Sequence, residues 1–108
     1  MRILFDNNVP DPLRRFLPGH TVRTAEQLKW QRLENGDLLQ AAEAAGFDVM
    51  VTADQNIKYQ QNLFGRVIAL VVLGSNRWPF VKSQVTAIAE AVDRAQAGSY
   101  CFLEIPAR

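Results

Sequence analysis

The run Val67-Ile68-Ala69-Leu70-Val71-Val72-Leu73 is apolar throughout, of strand length and rich in β-branched residues. A strand with no polar alternation has no face to offer to water, so it must be covered on both sides, which is the situation of strands in parallel sheets. Around it the chain alternates strand and helix signals. Residues 2–6 read as a buried first strand, residues 20–24 as a second near a sheet edge, residues 47–52 as a third and residues 100–105 as a last one. Between them, Asp11 is placed to cap a short helix with Pro12 at its first position and Leu13, Phe16 and Leu17 on its apolar face. Asn35 is placed to cap a second helix carrying Leu38, Ala41, Ala42 and Ala45, with Gly46 as its stop. A third is expected from Pro79, with Val81, Val85, Ile88, Ala89 and Val92 inward and Gly98 closing it. Residues 25–34 read as a connector with at most one helical turn, and residues 55–63 as a short helix or loop. Strands alternating with helices imply an α/β fold: a mostly parallel sheet with helices on both faces.

At 108 residues and 48% hydrophobic content, one domain spanning residues 1–108 is expected. Twelve basic residues against eleven acidic ones leave a formal charge of +1, so nucleic-acid binding would need a local patch rather than an overall field. Cys101, the single cysteine, lies in the apolar run Tyr100-Cys101-Phe102-Leu103 and reads as a small buried hydrophobe. An intrachain disulfide is excluded, which fits a reducing compartment. No run approaches the ~18 apolar residues of a membrane helix, and Asp6 interrupts any signal-peptide core. A cytoplasmic protein without membrane attachment is expected.

The first and third strands each end in an acid, Asp6 and Asp54, and Asp37 sits in the first turn of the second helix, with Asn56 two residues beyond Asp54. In open parallel sheets, ligands bind beyond the carboxyl ends of the strands. Oxygen donors without thiolate or imidazole suit hard cations such as Mg²⁺ or Mn²⁺. Two carboxylates ~4 Å apart repel by about 4 kcal/mol at an effective dielectric near 20, so gathering them without a cation is costly. Each acid also has a local role open to it: Asp6 in a turn with Asn7 and Asn8, Asp37 at a helix dipole, Asp54 as a cap. Glu34 competes with Asp37 as the third acid.

Ile3-Leu4-Phe5-Asp6-Asn7-Asn8-Val9-Pro10, then Asn35-Gly36-Asp37-Leu38-Leu39, then Val51-Thr52-Ala53-Asp54-Gln55-Asn56 resembles the small prokaryotic PIN-like domains, relatives of the VapC toxin nucleases, across most of the chain. The resemblance implies a three-layer α/β/α sandwich and a Mg²⁺- or Mn²⁺-dependent ribonuclease, often the toxin of a toxin–antitoxin pair. By position it makes Asp6, Asp37 and Asp54 the catalytic, metal-binding acids, adds Asn56 as an amide ligand, and gives Asn8 and Thr52 supporting roles. It also implies RNA as substrate, a small antitoxin encoded nearby and a homodimer. The chain departs from that pattern at Asn7 and Asn56, where acids are usual. An amide ligates without bringing charge, so a weaker metal site or a non-catalytic binding module is the competing expectation.

Lys29, Arg32, Lys58 and Arg77 are the cations placed to meet RNA phosphates, with Trp30, Tyr59 and Trp78 available to stack on bases or to pack at an interface. His20, the only histidine, has no nucleophile motif beside it, against a triad hydrolase. A receiver-like phospho-acceptor domain would want an acid pair where Asn7 and Asn8 stand. A dinucleotide-binding domain would want a glycine-rich loop after the first strand.

Overall fold

The structure, a computed structural model, describes residues 1–57, 63 and 65–106. Its strands are β1 (Arg2–Phe5), β2 (Thr21–Thr24), β3 (Val49–Thr52), β4 (Ala69–Leu73) and β5 (Tyr100–Leu103); its helices are a 3-10 helix (Asp11–Phe16), α1 (Asn35–Ala44), α2 (Trp78–Lys82) and α3 (Val85–Asp93). The five strands form one sheet in the order β2-β1-β3-β4-β5. Every pairing is parallel.

Strand alternation divides the core in two. Ile3, Phe5, Val49, Val51, Val71 and Leu73 point to one face, where Leu13 of the 3-10 helix, Val81 of α2 and Ile88 and Val92 of α3 cover them. Leu4, Met50, Leu70 and Val72 point to the other, against Leu38, Leu39 and Ala42 of α1. The result is an α/β fold with helices on both faces of a wholly parallel sheet. β3 and β4 are buried at every position, which is why their sequences carry no polar alternation. β2 lies at an edge, as its mixed sequence suggests, and alternates exposed with half-buried residues.

Several boundaries differ from the sequence reading. β4 starts at Ala69 rather than Val67, which is 65% exposed. β1 and β5 end at Phe5 and Leu103, and β3 begins at Val49. The caps shift by one residue: Pro10 and Glu34, not Asp11 and Asn35, occupy the N-cap positions. The connector is built of turns with no helix, the first of them ending on Lys29 at φ +61°. The single helix expected from Pro79 to Gly98 is two. The Ser83 hydroxyl donates to the Phe80 carbonyl, Gln84 leaves the helical region, and α3 stops at Asp93; a serine bonding back to the preceding turn competes with helix continuation. Gly98 instead makes the turn into β5 at φ +74°, where a β-carbon would meet the Arg66 carbonyl at 2.9 Å. Cys101 is half-buried, because it lies on an edge strand. Most of the segment 55–63, Lys58 and Tyr59 included, falls outside the described residues.

At the amino ends of the strands, Glu43 near the end of α1 accepts hydrogen bonds from Val67 N–H (2.7 Å), Ile68 N–H (3.3 Å) and the Arg66 guanidinium (2.6 Å). Burial pushes the Glu43 carboxyl up, but these bonds and the Arg66 charge outweigh it and hold it below its ordinary value. Ala45, the α1 C-cap, accepts from the Arg2 guanidinium at the start of β1. Both contacts fix the carboxyl end of α1 at the amino edge of the sheet, so its first turn, with Asp37, lies toward the carboxyl edge.

Candidate functional site at the carboxyl edge of the sheet

The strand order fixes where a ligand site belongs. From β1 the chain moves outward to β2, then crosses back over β1 to β3 and continues to β4 and β5. The direction of winding therefore reverses between β1 and β3, and in doubly wound sheets the loops leaving the strands at such a reversal diverge and open a crevice. Asp6 follows β1 and Asp54 follows β3, one acid on each side of this switch point.

Register brings them together. Phe5 pairs with Val51, so the next residues, Asp6 and Thr52, are neighbours, and Asp6 N–H donates to the Val51 carbonyl at 2.9 Å. Thr52 is 0% exposed, the sole fully buried polar side chain among the described residues. Its hydroxyl donates to Asp6 Oδ2 at 2.8 Å and accepts from Asp54 N–H at 3.0 Å. One buried hydroxyl thus joins the two acid-bearing loops, and burial is tolerated because both its donor and its acceptor capacity are used. Asn8 makes a second clamp, its Oδ1 accepting from Ala53 N–H at 2.9 Å.

The local roles of the acids are realised as well. Asp6 Oδ1 accepts from Asn7 N–H at 2.7 Å, and Asp54 Oδ1 accepts from Asn56 N–H at 3.0 Å, turns of the kind Asp favours. Each carboxylate still carries further lone pairs beyond these bonds. Asp37 is exposed in the first turn of α1, and Glu34 is exposed at its N-cap. Among the described residues, no group of three or more His, Cys, Asp or Glu is gathered closely enough to hold a metal ion. The donor set fits a hard cation in a lean form: one or two carboxylates with the remaining positions taken by water or phosphate oxygens, as Mg²⁺ commonly accepts.

The concavity beside Asp6 lies on the β2 side of β1 and does not include Asp54. A cleft of about 370 Å³ is lined by Asp6, Asn7, Val9, Asp11, Thr24, Glu26 and Gln31. Asn7 Nδ2 donates to the Gln31 carbonyl at 2.9 Å, tying the connector to the loop after β1. Thr24 and Gln27 satisfy each other's backbone N–H groups at 3.0 Å, the reciprocal pattern of a capping box used here to start a turn. Glu26 and Gln31 were not singled out from sequence, and Asp11 was expected only as a helix cap. The Thr24-x-x-Gln27 spacing was the available signal for a folded turn after β2, but their meeting with Asp6 depends on β2 lying beside β1.

The expected RNA-facing cations divide. Lys29 and Arg32 are exposed on the connector. Arg77 is exposed in the loop after β4, with its guanidinium 5.5 Å from the Phe80 ring centroid. That loop is joined to the one after β3 by Gln55 Nε2, which donates to the Gly74 carbonyl at 3.2 Å. Lys58 lies outside the described residues. Both tryptophans pack: Trp30 edge-on to Phe47 at 6.2 Å and Trp78 tilted on Phe16 at 5.8 Å. His20 Nε2 is 2.7 Å from Asp93 Oδ1 beside the start of β2, at the sheet edge opposite the acids.

No helix among the described residues is long and apolar enough to cross a membrane. The chain matches no protein-family model, no curated protein and no solved structure. Fold and site together define an α/β protein with a wholly parallel sheet and two acid-bearing loops tied through the Thr52 hydroxyl at its switch point.

Proposed function

We propose that this chain is a PIN-like, metal-dependent endoribonuclease of the toxin–antitoxin type. The observation that carries the reading is the pair Asp6 and Asp54, set at the ends of adjacent parallel strands and joined through the Thr52 hydroxyl. Asp6 and Asp54 would hold Mg²⁺ or Mn²⁺, with Asn56 beside them as an amide donor and Asp37 reaching in from α1. Such an ion, when bound, polarises a phosphodiester and lowers the pKa of attacking water. Thr52 and Asn8 keep the two acidic loops in register. Lys29, Arg32 and Arg77 supply phosphate contacts along the same edge.

A second reading is a binding module for RNA or an antitoxin. It is favoured by the amides at Asn7 and Asn56, which ligate a cation without bringing charge. Thermal melting in EDTA, Mg²⁺ and Mn²⁺, on wild type and Asp6→Asn, separates the two. A native-state ligand at 100 times its dissociation constant adds ~2.7 kcal/mol. The nuclease reading expects a Mn²⁺-dependent rise that Asp6→Asn abolishes, followed by metal-dependent cleavage of single-stranded RNA. No rise with either metal favours the binding module. A small protein encoded beside this one that copurifies with it would support the toxin assignment.

A further inference from the structure

The connector between β2 and α1 is anchored by its apolar residues. Ala25 is fully buried, Leu28, Trp30 and Leu33 pack against the core on the α1 side, and Trp30 N–H donates to the Ala25 carbonyl at 2.8 Å. Its polar residues Lys29, Gln31 and Arg32 are left exposed. Lys29 sits at φ +61°, the sole non-glycine residue at positive φ among those described. A β-carbon makes that conformation costly, and glycine would hold it without strain. Outliers of this kind gather at ligand sites, where the side chain has a task that glycine could not perform.

Asn7 links this stretch to the loop after β1. Its backbone N–H donates to Asp6 Oδ1 at 2.7 Å, and its side-chain Nδ2 donates to the Gln31 carbonyl at 2.9 Å. A carbonyl only accepts, so the second bond requires the amide; an aspartate in that place would set oxygen against oxygen. Gln31 lies two residues after Lys29 and one before Arg32. Asp6, Asn7 and Gln31 line the same cleft, so the chain that carries the two cations borders the space beside Asp6.

We infer that Asn7 is a positioning residue for RNA: its bond to Gln31 holds the arm bearing Lys29 and Arg32 beside Asp6, so that an RNA backbone meets the cations and the acid loop together. The inference rests on the RNA-binding reading proposed above and adds the residue that couples the two loops. It also gives the amide of Asn7 a task closed to a carboxylate, which would bring charge to a cation but release the arm.

Fluorescence anisotropy of a short single-stranded RNA of mixed sequence, in EDTA to block metal-dependent cleavage, tests this on the full chain. Thermal melting checks folding. Asn7→Ala is expected to weaken binding about fivefold, the effect of one hydrogen bond, and to flatten the salt dependence that Lys29 and Arg32 supply. In a Lys29→Ala, Arg32→Ala background the same change should weaken binding by less than about twofold, because the arm then has no cations to place. Lys29→Gly should melt higher than wild type yet bind RNA more weakly, the strain having gone together with the cation. Equal losses from Asn7→Ala in the two backgrounds, no loss in wild type, or a Lys29→Gly variant that binds like wild type would overturn the inference while leaving an RNA site in place. A wild type that binds no RNA at low salt overturns the RNA reading itself, and the inference with it.

Discussion

The buried hydroxyl of Thr52 lies 2.8 Å from Asp6 Oδ2, and through this bond the first strand's acid and the third strand's acid loop share one anchor. Thr52→Val keeps the shape of the side chain but leaves both Asp6 Oδ2 and Asp54 N–H without that partner. Loss of about 1–3 kcal/mol in stability is expected, the range for orphaned polar groups, with any Mn²⁺-dependent stabilisation lost at the same time. Thr52→Ser should retain most of both. Urea unfolding with and without Mn²⁺ measures the two effects together; an unchanged metal response in Thr52→Val would separate the hydroxyl from the site.

The third acid is decided by a pair of substitutions at the start of α1. Asp37 and Glu34 are both exposed, so neither change threatens the fold. If Asp37 reaches the metal, Asp37→Asn weakens Mn²⁺ stabilisation and Glu34→Gln leaves it alone. Isothermal titration of Mn²⁺ into the two variants reads this directly, and the reverse ranking would transfer the role to Glu34.

The cations near the carboxyl edge predict a salt signature. Each phosphate neutralised on a single strand contributes a slope of about −0.7 in log K against log salt. Lys29→Ala, Arg32→Ala and Arg77→Ala should each weaken binding of a short single-stranded RNA and flatten that slope by about one contact, without changing the melting temperature. Fluorescence anisotropy over a salt series is the measurement. A slope unaltered by all three changes would move the RNA path away from these loops.

Glu43 predicts an acid-sensitive contribution to stability. Its carboxyl is held below the ordinary value of 4.5 in the folded chain. A carboxyl with a depressed folded pKa stabilises fully above its unfolded value and loses that contribution as pH falls through the folded one. Glu43→Gln is expected to cost about 2 kcal/mol at neutral pH, as for a group with charge-assisted bonds. The gap between wild type and variant should narrow below pH 4.5. Urea unfolding of both proteins across that range tests the sign as well as the size.

The parts of the fold legible in sequence are those whose burial leaves a one-dimensional trace. β1, β3 and β4 are apolar on both faces because helices cover both faces, and β2 reads as an edge because Arg23 interrupts it. What sequence could not supply was set by contacts distant along the chain. Ser83 and Gln84 break a helix whose apolar spacing runs on unbroken from Val81 to Val92. Val67 looks like strand because it is apolar, yet the pairing with β3 begins only at Ala69. Of the site, Asp6 and Asp54 were readable from their place at strand ends, whereas Thr52 and Asn8 entered only through the family resemblance. The approach of Asp11, Glu26 and Gln31 to Asp6 was not readable, since it follows from the sheet order.

The reversal of winding between β1 and β3 also bears on how the chain reaches its native state. Asp6 and Thr52 are 46 residues apart in sequence, and no local hairpin can bring them together; the central parallel pairing must close first. Non-local parallel pairing is slow to form. The two acid-bearing loops therefore meet only once β1 and β3 have paired, and a ligand that recognises them together selects chains in which that central pairing is already made.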